Sequence, residues 1–144
     1  VNHLEGTKTS ARISTSVAVN ATHSHEIDTY GADYVSVDVV YSNFTAAAAS
    51  YATVLKVQQS DTAGSGQVDV PGLSVVAGAG RTTGVGVNGA VARFNVDCRG
   101  KKRYLTVVTT PGQPAAVATV ARLSKLEEMP TEKNAAGVDA FVSG

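Results

Sequence analysis

From Ala90 to Cys98 the chain reads Ala-Val-Ala-Arg-Phe-Asn-Val-Asp-Cys, with Ala92, Phe94, Val96 and Cys98 on one side and Arg93, Asn95 and Asp97 on the other. A period of two belongs to a β-strand with one buried face. The same alternation recurs. Tyr34 to Tyr41 is its clearest case, with Val35, Val37, Val39 and Tyr41 directed inward and Ser36 and Asp38 outward. Arg12 to Val19 places Ile13, Thr15, Val17 and Val19 on one face, and Thr53 to Ser60 directs Leu55 and Val57 inward.

Turn residues punctuate these runs. Asp61-Thr-Ala-Gly-Ser-Gly66 is a turn cluster from which Gln67 to Val70 returns, ended by Pro71-Gly72. Arg99-Gly100-Lys101 joins Ala90–Cys98 to Lys102–Thr110, and the two arms read as a β-hairpin with a basic tip. Pro111-Gly-Gln-Pro114 forces a further turn. Ala115 to Leu126 fits a strand through Val117, Thr119, Ala121 and Leu123, and a helix through Val117, Val120, Ala121 and Ser124. The β-branched residues favour the strand. Asn43 to Ala52, with alanines at 46–49, is too short to stand alone as a helix and reads as a loop or a single turn. Residues 72–89 are rich in glycine and read as a long connection across one end of the fold.

Seven or eight short strands at this spacing point to an all-β fold, a β-sandwich or jelly roll. At 144 residues, 43% of them hydrophobic, the chain makes one domain with a core of its own. Residues 12–126 form that domain. The polar residues 1–11 read as an extended N-terminal arm and the charged, Ala- and Gly-rich residues 127–144 as a C-terminal arm, with Val138–Val142 as a docking strand at its end.

Twelve basic residues balance twelve acidic ones, which removes any global reason to bind nucleic acid or an anionic membrane. No apolar run is long enough to span a bilayer as a helix, and the first residues lack the basic and apolar regions of a signal peptide. The single cysteine, Cys98, cannot close an intrachain disulfide, which favours a reducing compartment.

Chemical motifs are weak. Gly84-Val-Gly-Val-Asn-Gly89 matches a dinucleotide-binding pattern, but the segment after it alternates as a strand where that motif needs a helix N-terminus. His23-Ser-His25 places two imidazoles on one side of an extended chain, a pair that could ligate metal. No third ligand is nearby, and surface histidines are the expectation. No nucleophile–histidine–acid pattern or G-x-S-x-G elbow is present, so neither catalytic residues nor a cofactor or metal is expected. Arg99-Gly-Lys-Lys-Arg103 is the one concentration of charge: a solvated tip, or an ionic contact with an acidic neighbour. Among the tyrosines, Tyr30, Tyr34, Tyr41, Tyr51 and Tyr104 are candidates for a carbohydrate platform, with Tyr41 expected to be buried.

Two segments resemble the small head decoration, or capsid cement, proteins of tailed bacteriophages. One is the strand–turn–strand unit from Leu55 to Val70, and the other runs from Arg103 to Leu123 with the acidic, proline-containing tail after it. The resemblance implies a β-sandwich or jelly roll, frequently a homotrimer, on the outside of the virion, bridging subunits of the major capsid protein. On that expectation Arg99, Lys101, Lys102 and Arg103 are the candidate capsid contacts, the particle is assembled in the bacterial host cytoplasm, and no small-molecule substrate is involved. The rival reading is a carbohydrate-binding or adhesin-like module; a tail or head-completion protein of the same fold is a third.

Overall fold

The computed structural model describes residues 6–42, 52–75, 89–127 and 136–140. Among them are eight strands: β1 (Thr7–Val17), β2 (His23–Asp28), β3 (Ala32–Tyr41), β4 (Ala52–Ser60), β5 (Val68–Ser74), β6 (Ala90–Asp97), β7 (Tyr104–Pro111) and β8 (Ala115–Leu126). They form two antiparallel sheets, sheet A in the order β1-β8-β3-β6 and sheet B in the order β2-β7-β4-β5. First strand pairs with last, second with seventh, third with sixth and fourth with fifth. This is one long antiparallel ribbon wound on itself, the jelly-roll arrangement of two packed sheets.

Alternation explains the core. Val35, Val37, Val39 and Tyr41 of β3, Leu55 and Val57 of β4, Phe94 and Val96 of β6 and Val117, Ala121 and Leu123 of β8 are all buried between the sheets. Residues 115–126 are strand throughout, as their β-branched residues suggest.

Four expectations are corrected. Residues 90–110 are not a hairpin: β6 pairs with β3 in sheet A, whereas β7 pairs with β2 and β4 in sheet B. Cys98 to Arg103 carries the chain across the roughly 10 Å between stacked sheets, and the true hairpin is β4–β5. Pro71-Gly72 does not end the return strand, because β5 runs on to Ser74. It lies at the sheet's edge, where a missing N–H costs no ladder bond. Residues 7–11, expected in an N-terminal arm, are strand instead, since β1 begins at Thr7 and pairs with β8 from Thr7↔Ser124 onward. The inward face of β1 is also the opposite of the one the apolar pattern suggests. Ile13 is 71% exposed and Val19 lies beyond the strand, half exposed. Ser10 and Ser14 point inward, and a register shift between Ser14 and Val17 turns Val17 into the core.

Ala136 and Gly137 lie against β1. The Thr9 amide donates to the Ala136 carbonyl at 2.6 Å and Ala136 is fully buried. Residues 136–140 are turn and bend, so Val138–Ala140 are not strand; the remainder of the expected docking strand, and nearly all of 43–52 and 76–88, lie outside the described residues. Gly137 has φ +71°, and a Cβ there would overlap the Thr9 carbonyl. Gly137→Ala is therefore expected to weaken this docking by about 1–2 kcal/mol, the cost of a left-handed L-residue, before the overlap is counted. Faster hydrogen exchange at the Thr9 amide, with β3 unchanged, is the readout.

Candidate functional site: the outer face of sheet A

The inner positions of sheet A being fixed, register places the outer ones in rows. Ile13 lies opposite Ala118, Ala118 opposite Val40, and Val40 opposite Val91. One apolar row thus crosses all four strands on the side away from the core. Ile13 and Val91 are 71% and 63% exposed, Val40 and Val120 each 38%. The next row is Ala11, Val120, Asp38 and Arg93, where Arg93 grips Asp38 through Nε and a second nitrogen at 2.6 and 2.8 Å. That guanidinium holds the Asp38 carboxyl below its usual range.

Further along, the face turns polar: Thr9, Arg122, Ser36 and Asn95 in one row, then Thr7, Ser124, Tyr34 and Asp97. Ser36 donates to Asn95 at 2.9 Å. Here an open depression of about 370 Å³ is lined by Tyr34, Ser36, Asn95, Asp97 and Ser124. Sheet B differs. Its outer face carries Glu26, Thr106, Gln58 and Asp69 in one row, with Lys56 and Gln58 bound to Asp69 at 2.9 and 2.7 Å. The two faces of the slab are chemically unlike, and the exposed apolar row belongs to sheet A.

The basic segment lies at the polar end of the sandwich, and most of its charge is already matched. Arg99 forms an ion pair with Asp97 at 2.7 Å, donates to the Tyr34 hydroxyl at 2.6 Å and lies 5.1 Å from that ring's centre. Hydrogen bonds from its side chain push the Asp97 carboxyl down to about 2. Lys102 pairs with Asp61 at 2.9 Å. Arg103 binds both carboxylate oxygens of Asp28 at 2.9 Å and lies near the rings of Tyr30 and Tyr104, at 4.8 and 5.1 Å. Lys101 has no ion pair among the described residues. Solvent screens exposed pairs of this kind, so they add little to stability, but they leave a tip whose field is largely cancelled by its own acids.

Asp97 is two residues from Arg99 in the chain, but pattern could have shown Asp61 and Asp28 near these cations only with the topology in hand. Asp28 and Arg103 are brought together by the β2–β7 pairing, which ends at Asp28↔Tyr104. The same pairing gathers Tyr30, which is 75% exposed, with Tyr104. Tyr34 is nearby on β3 with Lys125 5.2 Å from its ring. Tyr41 is buried, as expected, and Tyr51 lies outside the described residues.

The histidine pair is not on the surface. His23 and His25 point into the sandwich and are 2% and 4% exposed. Sequence pattern missed this because a polar core position looks like a solvent-facing one; Ser10 and Ser14, which receive the imidazoles, lie on a strand whose apolar residues pointed to the other face. Among the described residues no group of three or more His, Cys, Asp or Glu is arranged to hold a metal. Gly89, the last glycine of the dinucleotide-like motif, leads into strand β6, with no helix end for a pyrophosphate. Cys98 is a buried free thiol whose pKa burial pushes up to about 11, so it is a poor nucleophile.

No protein-family model matches the sequence, and no curated protein matches it significantly.

Proposed function

We propose that this chain is a non-enzymatic structural protein of a phage particle, a homotrimer that binds the outer surface of the capsid and bridges neighbouring subunits of the major capsid protein. The observation that supports it best is the apolar row Ile13–Ala118–Val40–Val91 across the outer face of sheet A; the outer face of sheet B is mixed, with Val54 and Val108 among Glu26, Lys56, Gln58 and Asp69. Four strands place the ends of that row only about 14 Å apart. So narrow a band falls well short of the roughly 800 Å² per partner that a stable isolated pair buries. A weak contact of this size suits a repeating surface, where each further contact made by one oligomer is intramolecular and affinity multiplies. The acid-matched tip makes Arg99, Lys101, Lys102 and Arg103 a rim of the contact, with the apolar row at its centre.

Co-sedimentation with capsids lacking the protein tests the reading. The wild-type chain is expected to pellet with them, and Val40→Lys combined with Val91→Lys to lower the apparent affinity at least tenfold; the two lysines face each other across β3 and β6, so urea unfolding is run beside it to show that the variant is still folded. No pelleting of the wild type at any concentration rejects the proposal. Loss on Arg99→Ala and Arg103→Ala, with the valine variants unaffected, moves the contact to the tip.

A carbohydrate-binding module is the second reading, and the gathering of Tyr30, Tyr34 and Tyr104 at one end favours it. A glycan array separates the two: retention that Tyr30→Ala abolishes supports it.

A further inference from the structure

The interior of a jelly roll is expected to be apolar, yet one corner of this one is not. Ser14 Oγ lies 2.7 Å from His23 Nδ1, and His23 Nε2 lies 3.2 Å from Thr119 Oγ1. Thr119 Oγ1 lies 2.8 Å from His25 Nδ1, and His25 Nε2 lies 2.8 Å from Ser10 Oγ. The five side chains form a continuous path from β1 into β2, across β8 and back to β1. Two proton assignments of opposite sense satisfy all of them with both imidazoles neutral: either Ser14 donates to His23, His23 to Thr119, Thr119 to His25 and His25 to Ser10, or every bond runs the other way.

The path sits where the two sheets meet at one open side, because β1 is an edge strand of sheet A and β2 an edge strand of sheet B. Of the side chains of β1, only Val17 is a buried apolar one. The bonds of Ser10 and Ser14 to the histidines therefore carry much of what holds β1 to the opposite sheet. The charges that bear on the pair are Arg12, on β1, and the imidazoles themselves. Opposite His23 and His25 on β7 stand Thr109 and Val107, and β8 supplies Thr119, none of them ionisable. The nearest acid on β2, Glu26, faces outward and accepts from the Gly64 amide. A proton arriving here meets cations and no carboxylate; burial, with these charges, pushes His25 down to about 4 and lowers His23 as well.

We propose that the Ser14–His23–Thr119–His25–Ser10 path is an acid-sensitive latch: neutral, it clamps β1 against β2; protonated, it releases β1 together with the Ala136–Gly137 stretch docked on that strand. The coupling is direct, since Thr9, which binds Ala136, is the neighbour of Ser10, which binds His25. The proposal is independent of what the protein adheres to.

Amide hydrogen exchange of the whole chain, followed by NMR at neutral pH and near pH 4.5 and corrected for intrinsic rates, tests it. Protection at Thr9, Ser10 and Ser14 is expected to fall roughly 50-fold or more on acidification, the ratio set by a histidine that titrates normally once released. Amides of the central strand β3 lose protection only as the whole domain loses stability and are expected to stay at least tenfold better protected than those of β1 at both pH values. Equal protection in β1 and β3 near pH 4.5, or no loss in β1, overturns the latch. His23→Gln with His25→Gln removes the titration and is expected to make β1 protection independent of pH; an unchanged fall overturns the proposal. Should that variant not fold, the wild-type His25 resonance decides: a midpoint below 5.5 supports the latch, and one near 6.5 excludes it.

Discussion

Tyr41→Ala is expected to destabilise the domain by about 4 kcal/mol, a large share of the 5–15 kcal/mol by which such domains are stable. Among the described residues Tyr41 is the largest of the fully buried side chains, and it belongs to β3 of sheet A. Its hydroxyl reaches across the sandwich to Thr109 Oγ1 on β7 of sheet B, at 2.6 Å. Thr109 uses its own hydrogen on the Val54 carbonyl of β4, at 3.0 Å, so the tyrosine is the donor. Truncation at Tyr41 would therefore open a cavity between the sheets and cut a buried bond that ties them. Tyr41→Phe isolates the second effect. It keeps the ring and leaves Thr109 bonded to Val54, so about 1 kcal/mol is expected. Urea unfolding with a common m-value measures both. Equal costs for the two variants would mean that the hydroxyl, and not the ring, governs this part of the core.

Acid is expected to weaken the protein before its carboxylates titrate. His25 is buried with its pKa pushed down to about 4, while in the unfolded chain it titrates near 6.5. Between those values the unfolded chain binds the proton and the folded one does not, so stability rises with pH across this window. Its full value is present above about pH 6.5, and about 3 kcal/mol is lost by the time pH has fallen to 4. The direction of His23 is the same and adds to the loss. The carboxylates held down by arginine, Asp28, Asp38 and Asp97, act in a separate window below their unfolded value of about 4. Urea midpoints followed from pH 7.5 to 4 provide the measurement. A flat profile to pH 4.5 would show that the imidazoles are hydrated in the folded state.

Strand identity was legible wherever the buried face was apolar. Tyr34–Tyr41, Thr53–Ser60 and Ala90–Cys98 each alternate against a hydrophobic interior, and each inward set named from the pattern is at the core or packed on it. β1 misled for the same reason. Its inner neighbours are the histidines of β2, so the inward residues that meet them are half-buried serines, and Ile13 is left to the outer face. An alternation rule that assumes an oily interior inverts a strand whose interior contact is polar. The candidate site was less legible. Arg99, Lys102 and Arg103 are evident as a charge cluster, but Asp61 and Asp28, which neutralise two of them, come from distant turns and strands. The apolar row on sheet A is assembled from single residues on four strands, none of which stands out in its own segment.

Residue order alone is enough to make this an all-β chain and to say which residues of β3, β4, β6 and β8 face inward, because a pleated backbone throws successive side chains to opposite sides whatever it pairs with. Which strands become neighbours is a matter of three-dimensional packing. Backbone N–H and C=O groups are the same at every residue, so a ladder carries no address; the sheet a strand joins, and the rows that then form on its faces, depend on how the whole ribbon winds to bury its apolar sides. That is why β6 and β7, adjacent in the chain, lie in opposite sheets, and why Ile13 and Val91, far apart in sequence, end one row.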